Sequence, residues 1–286
     1  MPPKFKNLSL IIPDDNKNSY NGNNGNNGNN GNNGNNGNNI EELDSCNDII
    51  TKFFNFETDY GKKCGSEGCI YFKEGKDIGL KVTKKIKEPI IEDLYNFIIK
   101  LNDKSNYKNN LEDFIIIPKN LSKNNKCNMN YKVKSYYSFN YYYNAIDLVS
   151  VIKNINKKKN FYKKEIDKIK KSNRKTVKFD NNMRKYKTMI DGFKEQIDFI
   201  LRHLNDTYNI YHNDIHPENL IVVNTEEPII LRENDGTEKV LDTKHKVFLI
   251  DFEHLSTSEN PNPLQMITPC NEFTMDREDC IEYLIK

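Results

Sequence analysis

The chain has 286 residues, 36% of them hydrophobic, and carries a formal net charge of +2 at pH 7. This length fits one large domain or two lobes, and the near-balanced charge argues against a surface dominated by nucleic-acid binding. No apolar run approaches the roughly 18 residues that a membrane span needs, and the start lacks the pattern of a secretory signal. We therefore expect a soluble, intracellular, cytoplasmic protein with no membrane span.

Cysteine spacing gives a second indication of the compartment. The six cysteines form no CxxC pair and have no zinc-finger spacing with the five histidines. In the absence of a secretory signal, we expect them to be reduced thiols. They are Cys46, Cys64, Cys69, Cys127, Cys270 and Cys280.

The first forty residues differ in composition from the rest of the chain. Residues 21–39 repeat Asn-Asn-Gly and contain no apolar side chain. Such a segment cannot bury apolar surface, so it stays hydrated and flexible. We expect residues 1–40 to be a disordered tail outside the fold.

Small β-type segments interrupted by one helix follow the tail and define a first lobe over residues 41–145. Residues 41–54 have apolar side chains at helical spacing, and residues 89–101 form a second amphipathic pattern with Pro89 in its first turn. Runs rich in β-forming residues predict strands. The predicted strands are 69–72, 78–82, 114–117 and 131–142.

A strongly basic stretch lies near the start of the second part of the chain, residues 146–286. The insert 153–187 contains 15 lysines and arginines against three acidic residues. We interpret it as a solvated insert or an exposed helix, through which nucleic acid would bind only weakly. Residues 189–204 then show a 3.6-residue apolar rhythm, which predicts an amphipathic helix.

Two segments with acidic residues lie beside apolar β-type runs in this second part. The first is Tyr211-His-Asn-Asp-Ile-His-Pro-Glu-Asn, and the second is Lys246-Val-Phe-Leu-Ile-Asp-Phe-Glu. At 212–219 the chain resembles the catalytic loop His-x-Asp-x-x-x-x-Asn of the protein-kinase-like superfamily, and at 251–253 it resembles the metal-binding Asp-Phe-Gly motif. The matching residues are His212, Asp214 and Asn219 in the loop, and Asp251 and Phe252 in the motif.

The resemblance implies transfer of the γ-phosphoryl group of ATP with the help of Mg²⁺, a reaction that rests on positioning and charge neutralisation. It implies that Asp214 accepts or orients the proton of the acceptor hydroxyl, and that Asp251 holds Mg²⁺. Asn219 would complete the metal site with a neutral oxygen. His212 would anchor the loop through packing and hydrogen bonding.

The first lobe contains weaker matches in the same order along the chain. Gly65, Gly68 and Ile70 resemble the last part of a Gly-rich loop, whose backbone approaches the phosphates closely. Lys81, in Gly-Leu-Lys-Val, matches the strand lysine that contacts the α- and β-phosphates. The resemblance further implies an ion pair between Lys81 and a carboxylate of the following helix, for which Glu92 fits best.

Three residues depart from the pattern of the family. Asn213 replaces an arginine that pairs with a phosphorylated activation loop, so this mode of regulation is not expected. His216 stands where serine/threonine kinases usually have lysine, and it could still donate to the γ-phosphate. Glu253 replaces the glycine of Asp-Phe-Gly, and similar segments occur in small-molecule kinases.

The carboxy-terminal part is short for this family, because 35 residues follow Asp251. The turn signal Asn234-Asp-Gly predicts an extra hairpin between residues 223 and 246. Residues 275–285 predict a single closing helix.

These features predict an α+β protein with a two-lobed protein-kinase-like fold, in which a small β-rich N-lobe precedes a shortened, mainly helical C-lobe. The first hypothesis for its function is a divergent serine/threonine protein kinase with a protein substrate. The second, motivated by His216 and Glu253, is a small-molecule kinase with a sugar or amino-alcohol acceptor. The third, motivated by the abbreviated Gly-rich loop and the short lobe, is a nucleotide-binding pseudokinase that acts as an interaction module.

Overall fold

The computed structural model describes residues 43–130, 132–171, 177–257, 270 and 276–286. The predicted tail, residues 1–40, lies outside the described residues. None of the helices in these ranges combines the length and the apolar character that crossing a membrane requires.

Two helices and five strands make up the first lobe. In chain order they are α1 (Cys46–Phe53), β1 (Gly61–Cys64), β2 (Gly68–Phe72), β3 (Ile78–Lys84), α2 (Glu88–Asn102), β4 (Lys126–Met129) and β5 (Lys132–Asn140). The strands form one antiparallel sheet in the order β1-β2-β3-β5-β4. The predicted helices near 41–54 and 89–101, and the strands near 69–72, 78–82 and 131–142, are confirmed.

Helix α2 forms because its sequence suits both a helical start and a buried face. Pro89 lies in the first turn, where its missing N–H has no intrahelical role and its fixed φ is already helical. Ile91, Leu94 and Phe97 recur at helical spacing and are almost fully buried. The ring of Phe97 lies 6.1 Å from that of Phe252. Helix α2 therefore packs directly on the predicted metal-binding motif.

The predicted strand at 114–117 is wrong. Within it, Ile115 forms a single isolated bridge with Leu249, through hydrogen bonds of 2.8 and 2.9 Å that join Ile116 and Phe114 to Leu249. The pairing cannot extend, because Leu249 is the last residue of its own strand and Pro118 offers no backbone donor. The apolar run is buried as an irregular segment.

Two long helices and several short strands make up the second lobe. In chain order its elements are β6 (Ile146–Asp147), α3 (Leu148–Lys171), α4 (Val177–Arg202), β7 (Ile210–Tyr211), β8 (Leu220–Asn224), β9 (Ile229–Arg232), β10 (Glu238–Leu241), β11 (His245–Leu249), β12 (Ser256–Thr257) and α5 (Arg277–Leu284). Strands β11, β8 and β6 form an antiparallel sheet, and β12 pairs with β7. One apolar core joins α2, α4, β8 and β11 and encloses Phe252.

The second-lobe predictions agree with these elements. Of the basic insert, residues 153–171 lie on α3 and residues 177–187 on the first part of α4, and the rest falls outside the described residues. The apolar rhythm at 189–204 lies mainly in α4, and α5 is the closing helix. Strands β9 and β10 form the predicted extra hairpin. Gly236 in its turn has φ +87°, a conformation that glycine adopts without strain.

The extra hairpin is fixed to the end of α4 by an ion pair. The guanidinium of Arg202 donates to both carboxylate oxygens of Glu233, at 2.7 and 2.8 Å. His203 Nε2 also lies 3.0 Å from Glu233. A bidentate pair of this kind fixes orientation as well as distance. The hairpin is therefore held in place by side chains at its turn.

The six cysteines are paired, so the expectation of reduced thiols is wrong. The disulfides are Cys46–Cys127, Cys64–Cys69 and Cys270–Cys280. The fold brings Cys46 of α1 and Cys127 of β4, which are 81 residues apart, to a Cα separation of 4.9 Å. Sequence spacing cannot show such a pairing. Disulfides are typical of oxidising compartments, so the cysteines no longer favour a cytoplasmic location. That location stays a prediction.

Candidate active site

The loop between β7 and β8 holds Asp214 and Asn219 together. The side-chain amide of Asn219 donates to the backbone carbonyl of Asp214 at 2.9 Å and to its carboxylate Oδ2 at 3.1 Å. The Asn219 N–H donates to the His216 carbonyl at 2.9 Å, which closes the loop. The Ile250 N–H donates to the Asn219 carbonyl at 3.0 Å. The loop is therefore fastened beside the end of β11, immediately before Asp251.

Asn213 joins this loop to the segment that follows the metal-binding motif. Its backbone has φ 60°, which asparagine tolerates better than most residues. Its side-chain amide donates to the His254 carbonyl and to Ser256 Oγ, both at 2.8 Å. The residue that replaces the usual arginine is thus a structural link between the two segments.

His212 is buried beneath the loop. Its Nε2 donates to the Ile250 carbonyl at 2.9 Å, and its ring lies edge-to-face against Phe252 with centroids 4.8 Å apart. Its Nδ1 is buried without a hydrogen-bond partner in the described part of the chain. Burial lowers the pKa of His212 to about 4, although the bond to Ile250 opposes that shift. The imidazole is therefore neutral at physiological pH and acts as an anchor.

We predict that His212 makes the fold sensitive to acid. An unfolded chain protonates this histidine below its ordinary pKa of about 6.5, whereas the folded chain does so only near pH 4. Between these values the unfolded state binds more protons, so stability falls as the pH falls, by about 3 kcal/mol in total. Chemical denaturation at pH 7 and pH 4.5 should show this loss in the wild type and a smaller loss in His212→Gln. An equal loss in both proteins would contradict the prediction.

Asp251 has an unusual backbone and an unsatisfied oxygen. It follows β11 with φ 72° and ψ 60°, a left-handed conformation that costs a non-glycine residue about 1–3 kcal/mol and that concentrates at functional sites. Its Oδ2 accepts a hydrogen bond from Lys81 Nζ at 2.7 Å. Its Oδ1 is buried without a hydrogen-bond partner among the described residues. A buried carboxylate oxygen that lacks a donor is suited to a cation.

Lys81 reaches this carboxylate from the middle of β3. It lies opposite Ile70 of β2 and Tyr137 of β5, and its side chain is 10% exposed. Its ammonium is 2.7 Å from Asp251 Oδ2 and 2.7 Å from Glu253 Oε1. Burial alone would lower the pKa of Lys81, but the attraction of the two carboxylates outweighs burial and raises that pKa. The ammonium is therefore charged at neutral pH.

The predicted ion pair between Lys81 and Glu92 is wrong. Glu92 is 60% exposed on α2, and its carboxylate accepts a hydrogen bond from Lys123 at 2.8 Å. Glu92 lies outside the buried face of α2, which consists of apolar residues alone. The geometry does not support the cofactor-binding role predicted for Glu92.

The predicted phosphate loop is the tip of the β1–β2 hairpin. The Gly65 N–H donates to the Gly68 carbonyl at 2.9 Å. A Cβ on Gly68 would lie 2.2 Å from the Val82 carbonyl oxygen, whereas a Cβ on Gly65 would meet nothing within 4 Å. Gly68 is therefore required because β2 packs closely on β3. Contacts of Gly65, Gly68 and Ile70 with a nucleotide stay predictions.

His216 lies close to Asp214, and its donation to the γ-phosphate stays a prediction. Its Nε2 is 3.7 Å from Asp214 Oδ2. Burial would raise the pKa of Asp214, but His216 and two further histidines outweigh burial and lower that pKa. In return, Asp214 raises the pKa of His216. Asp214 is therefore ionised at neutral pH and can accept a proton.

The residues present fit a magnesium ion that is completed by other ligands. The described ranges contain no cluster of three or more His, Cys, Asp or Glu side chains arranged as a metal site. Asp251 offers its unpartnered Oδ1, and Asn219 has a side-chain oxygen beside the amide that bonds Asp214. Mg²⁺ usually takes only one or two protein carboxylates and completes its shell with water and phosphate oxygens. Asp251 and Asn219 would therefore hold it.

Three residues that the structure brings to this site as partners were missed by sequence reasoning. In the sequence, Glu253 stands out only as a departure from the motif, and no local pattern indicates its partner. Its Oε2 accepts from Thr83 Oγ1 at 2.5 Å, and its Oε1 accepts from the Tyr137 hydroxyl at 2.7 Å. Strand alternation was an available signal for Thr83, which shares a face of β3 with Lys81 two residues earlier. No comparable signal pointed to Tyr137.

Comparison with known proteins gives little at the level of sequence. No protein-family model matches the chain, and no curated protein matches it. Among solved structures, the chain is similar to a kinase domain from Plasmodium, with 16% identity over 70% of this chain and 51% of that one and a TM-score of 0.33. It is also similar to two structures from Toxoplasma gondii, described as a rhoptry antigen kinase domain and a rhoptry kinase.

Each of the two Toxoplasma gondii structures is 14% identical to this chain and matches 69% of it, with a TM-score of 0.36. The matched part makes up 50% of the first structure's chain and 46% of the second's. The chain thus spans about half the length of the structures it matches. Likeness at this level is too weak to carry a conclusion, and the fold is recognised by its own geometry. That geometry consists of a five-stranded sheet whose lysine meets the Asp-Phe-Glu aspartate, and a catalytic-type loop fastened beside it. By this geometry the chain has a divergent, two-lobed α+β fold like that of protein kinases.

Proposed function

We propose that the chain is a phosphotransferase that moves the γ-phosphoryl group of ATP to a hydroxyl in the presence of Mg²⁺. The observation that carries this proposal is the convergence of four polar side chains from distant parts of the sequence. Lys81 contacts Asp251 at 2.7 Å, and Asn219 contacts Asp214 at 3.1 Å. The Ile250–Asn219 backbone hydrogen bond, at 3.0 Å, holds the two pairs next to each other.

Each side chain has a defined task in this reaction. Asp214, whose pKa is lowered, takes the acceptor proton as the acceptor oxygen forms its bond to the γ-phosphorus. The bond between that phosphorus and the bridging oxygen breaks, and ADP leaves. Asn219 orients the Asp214 carboxylate through its amide. The charged ammonium of Lys81 would bind and orient the α- and β-phosphates. Mg²⁺, when bound, supplies positive charge against the β- and γ-phosphates.

The metal role of Asp251 leads to a direct prediction. We expect Asp251→Asn to weaken binding of ATP about tenfold or more in the presence of Mg²⁺ and to remove most of the dependence on Mg²⁺, because an amide replaces the anionic ligand. Isothermal titration with ATP at increasing Mg²⁺ would measure this. Asp235→Asn, at an exposed turn of the extra hairpin, is the matched control. A Mg²⁺ titration that is unaltered by Asp251→Asn would contradict the metal role.

For the acceptor, we propose a serine or threonine hydroxyl of a protein, as the catalytic-loop resemblance implies. His216 in place of the usual lysine, 3.7 Å from Asp214, favours a small-molecule hydroxyl as the second candidate. Incubation with labelled ATP and Mg²⁺ would compare general protein acceptors with sugars and amino alcohols. Label on polypeptide supports the first acceptor. Turnover that depends on a free sugar or amino alcohol, without labelled protein, would overturn it.

The pseudokinase hypothesis makes a different forecast from either kinase hypothesis. A protein that binds ATP but labels no acceptor would act as an interaction module. Against this hypothesis, Lys81, Asp214, Asn219 and Asp251 are all present, and the structure joins them in hydrogen-bonded pairs. We therefore propose an active enzyme.

A further inference from the structure

Glu253 is a buried carboxylate in a position where the family motif has glycine. Its side chain is 5% exposed, and three donors surround it: Lys81 Nζ at 2.7 Å, Thr83 Oγ1 at 2.5 Å and the Tyr137 hydroxyl at 2.7 Å. Burial raises the pKa of Glu253, and the ammonium of Lys81 acts in the opposite direction. A buried carboxylate is tolerated only when its oxygens are paired. All three contacts come from strands of the first lobe.

Helix α2 offers no acidic residue among its buried positions. Those positions are Ile90, Ile91, Leu94, Phe97 and Leu101. Glu92 points outward to Lys123. The second carboxylate at Lys81 therefore comes from the segment after β11, two residues beyond Asp251.

We propose that Glu253 is the residue that positions Lys81 for the phosphates, in place of a carboxylate on helix α2. This assignment rests on the proposed phosphotransferase function. Glu253 Oε1 holds the ammonium independently of Asp251, so Lys81 stays oriented when Asp251 turns toward a cation. Thr83 and Tyr137 fix the Glu253 carboxylate in turn. Glu253 is thus a positioning residue, which acts on the nucleotide through Lys81.

The location of the Lys81–Glu253 ion pair determines which movements of the protein would break it. In protein kinases the lysine pairs with a glutamate of the helix, and displacement of that helix breaks the pair. Here both carboxylates that contact Lys81 belong to one three-residue segment, 251–253. No side chain of α2 takes part in the Lys81–Glu253 contact, whereas a backbone shift of segment 251–253 would move both carboxylates relative to Lys81.

A double-mutant cycle tests the assignment. The proteins are wild type, Glu253→Gln, Lys81→Met and the double variant; glutamine keeps the size of the side chain and removes its charge. We expect Glu253→Gln to weaken MgATP binding about tenfold in the wild-type background, as for the loss of one charge-assisted contact. In the Lys81→Met background the same change should have almost no further effect. Additive losses would indicate a merely structural role and overturn the assignment.

Two controls keep the outcome clear. Glu233→Gln removes the carboxylate of another ion pair, that with Arg202, away from Lys81, and should leave MgATP affinity unchanged. Tyr137→Phe removes one hydrogen bond from Glu253 and keeps the charges of Lys81 and Glu253. We expect it to weaken MgATP binding by a few-fold, and an effect absent there would count against the assignment even if Glu253→Gln folds poorly.

Failure of this inference is distinguishable from failure of the proposed function. A wild type that binds MgATP and transfers phosphate, with a Glu253→Gln variant that behaves like Glu233→Gln, overturns the inference alone. A wild type that binds no MgATP overturns the function and, with it, the positioning role. In that case the same cycle, measured by chemical denaturation, would still report whether Lys81 and Glu253 are coupled.

Discussion

Replacing Asp214 by asparagine should lower the rate of phosphoryl transfer by about 10²- to 10⁴-fold, the range expected for loss of a general base. The affinity for MgATP should change little, because Asp214 pairs with Asn219 rather than with Lys81 and, in the proposed reaction, acts on the acceptor. Asparagine keeps the shape of the side chain and loses the charge and the ability to take a proton. Single-turnover transfer from labelled ATP, together with equilibrium binding of MgATP, separates the two quantities.

Glu218→Gln is the matched control for this experiment. Glu218 lies in the same loop, and its side chain is 75% exposed. We expect transfer by this variant within about twofold of the wild type, as is usual for an exposed side chain. If Asp214→Asn kept its full transfer rate, Asp214 could not be the base. If it lost MgATP affinity as well, the substitution would have disturbed the loop and its hydrogen bond to Asn219.

Removal of the Cys46–Cys127 disulfide should destabilise the folded protein by about 4–5 kcal/mol. The bond closes a loop of 81 residues, and the chain-entropy model assigns that amount to a loop of this length. Both cysteines are fully buried, so the Cys46→Ala/Cys127→Ala variant also loses packing. Denaturation by urea, with midpoints and slopes compared, would measure the loss.

The Cys64–Cys69 disulfide provides the comparison. Its separation is five residues, so the same model assigns it only about 2 kcal/mol. We expect Cys64→Ala/Cys69→Ala to be clearly less destabilising than the first double variant. Equal losses would show that loop closure is not the main contribution. Titration of free thiols in the native wild type should find none among the six cysteines, and reactive thiols would contradict the pairing.

The catalytic loop could be predicted because its information is local. His212, Asp214 and Asn219 lie within eight consecutive residues, and the short β-runs on either side fix their direction. The structure places these residues together, and their roles in catalysis stay predictions. The hairpin around Asn234-Asp-Gly could also be predicted from local sequence, because its turn residues lie between its two strands.

Predictions that depended on a partner from elsewhere in the fold were less successful. The position of Glu92 in the sequence favours it as the partner of Lys81, but the direction of a helical side chain decides its partner, and α2 turns Glu92 toward Lys123. The contact of Lys81 with Glu253 spans 172 residues, and no local pattern signals it. The pairing of Cys46 with Cys127 also joins residues that are far apart in the sequence, so no local pattern signals it either. Long-range pairs are set by tertiary packing, which a single sequence does not display.

The long disulfide also decides what a cut in the backbone can do. Residues 46–127 form a covalent ring that contains β1, β2, β3 and α2, and therefore Lys81 and the predicted phosphate loop. Residues 74–77, between β2 and β3, are exposed on this ring. A protease that cut the chain there would open the ring, but the Cys46–Cys127 disulfide would still join the two fragments. The lysine and the glycine-rich hairpin would stay attached to one molecule after such processing.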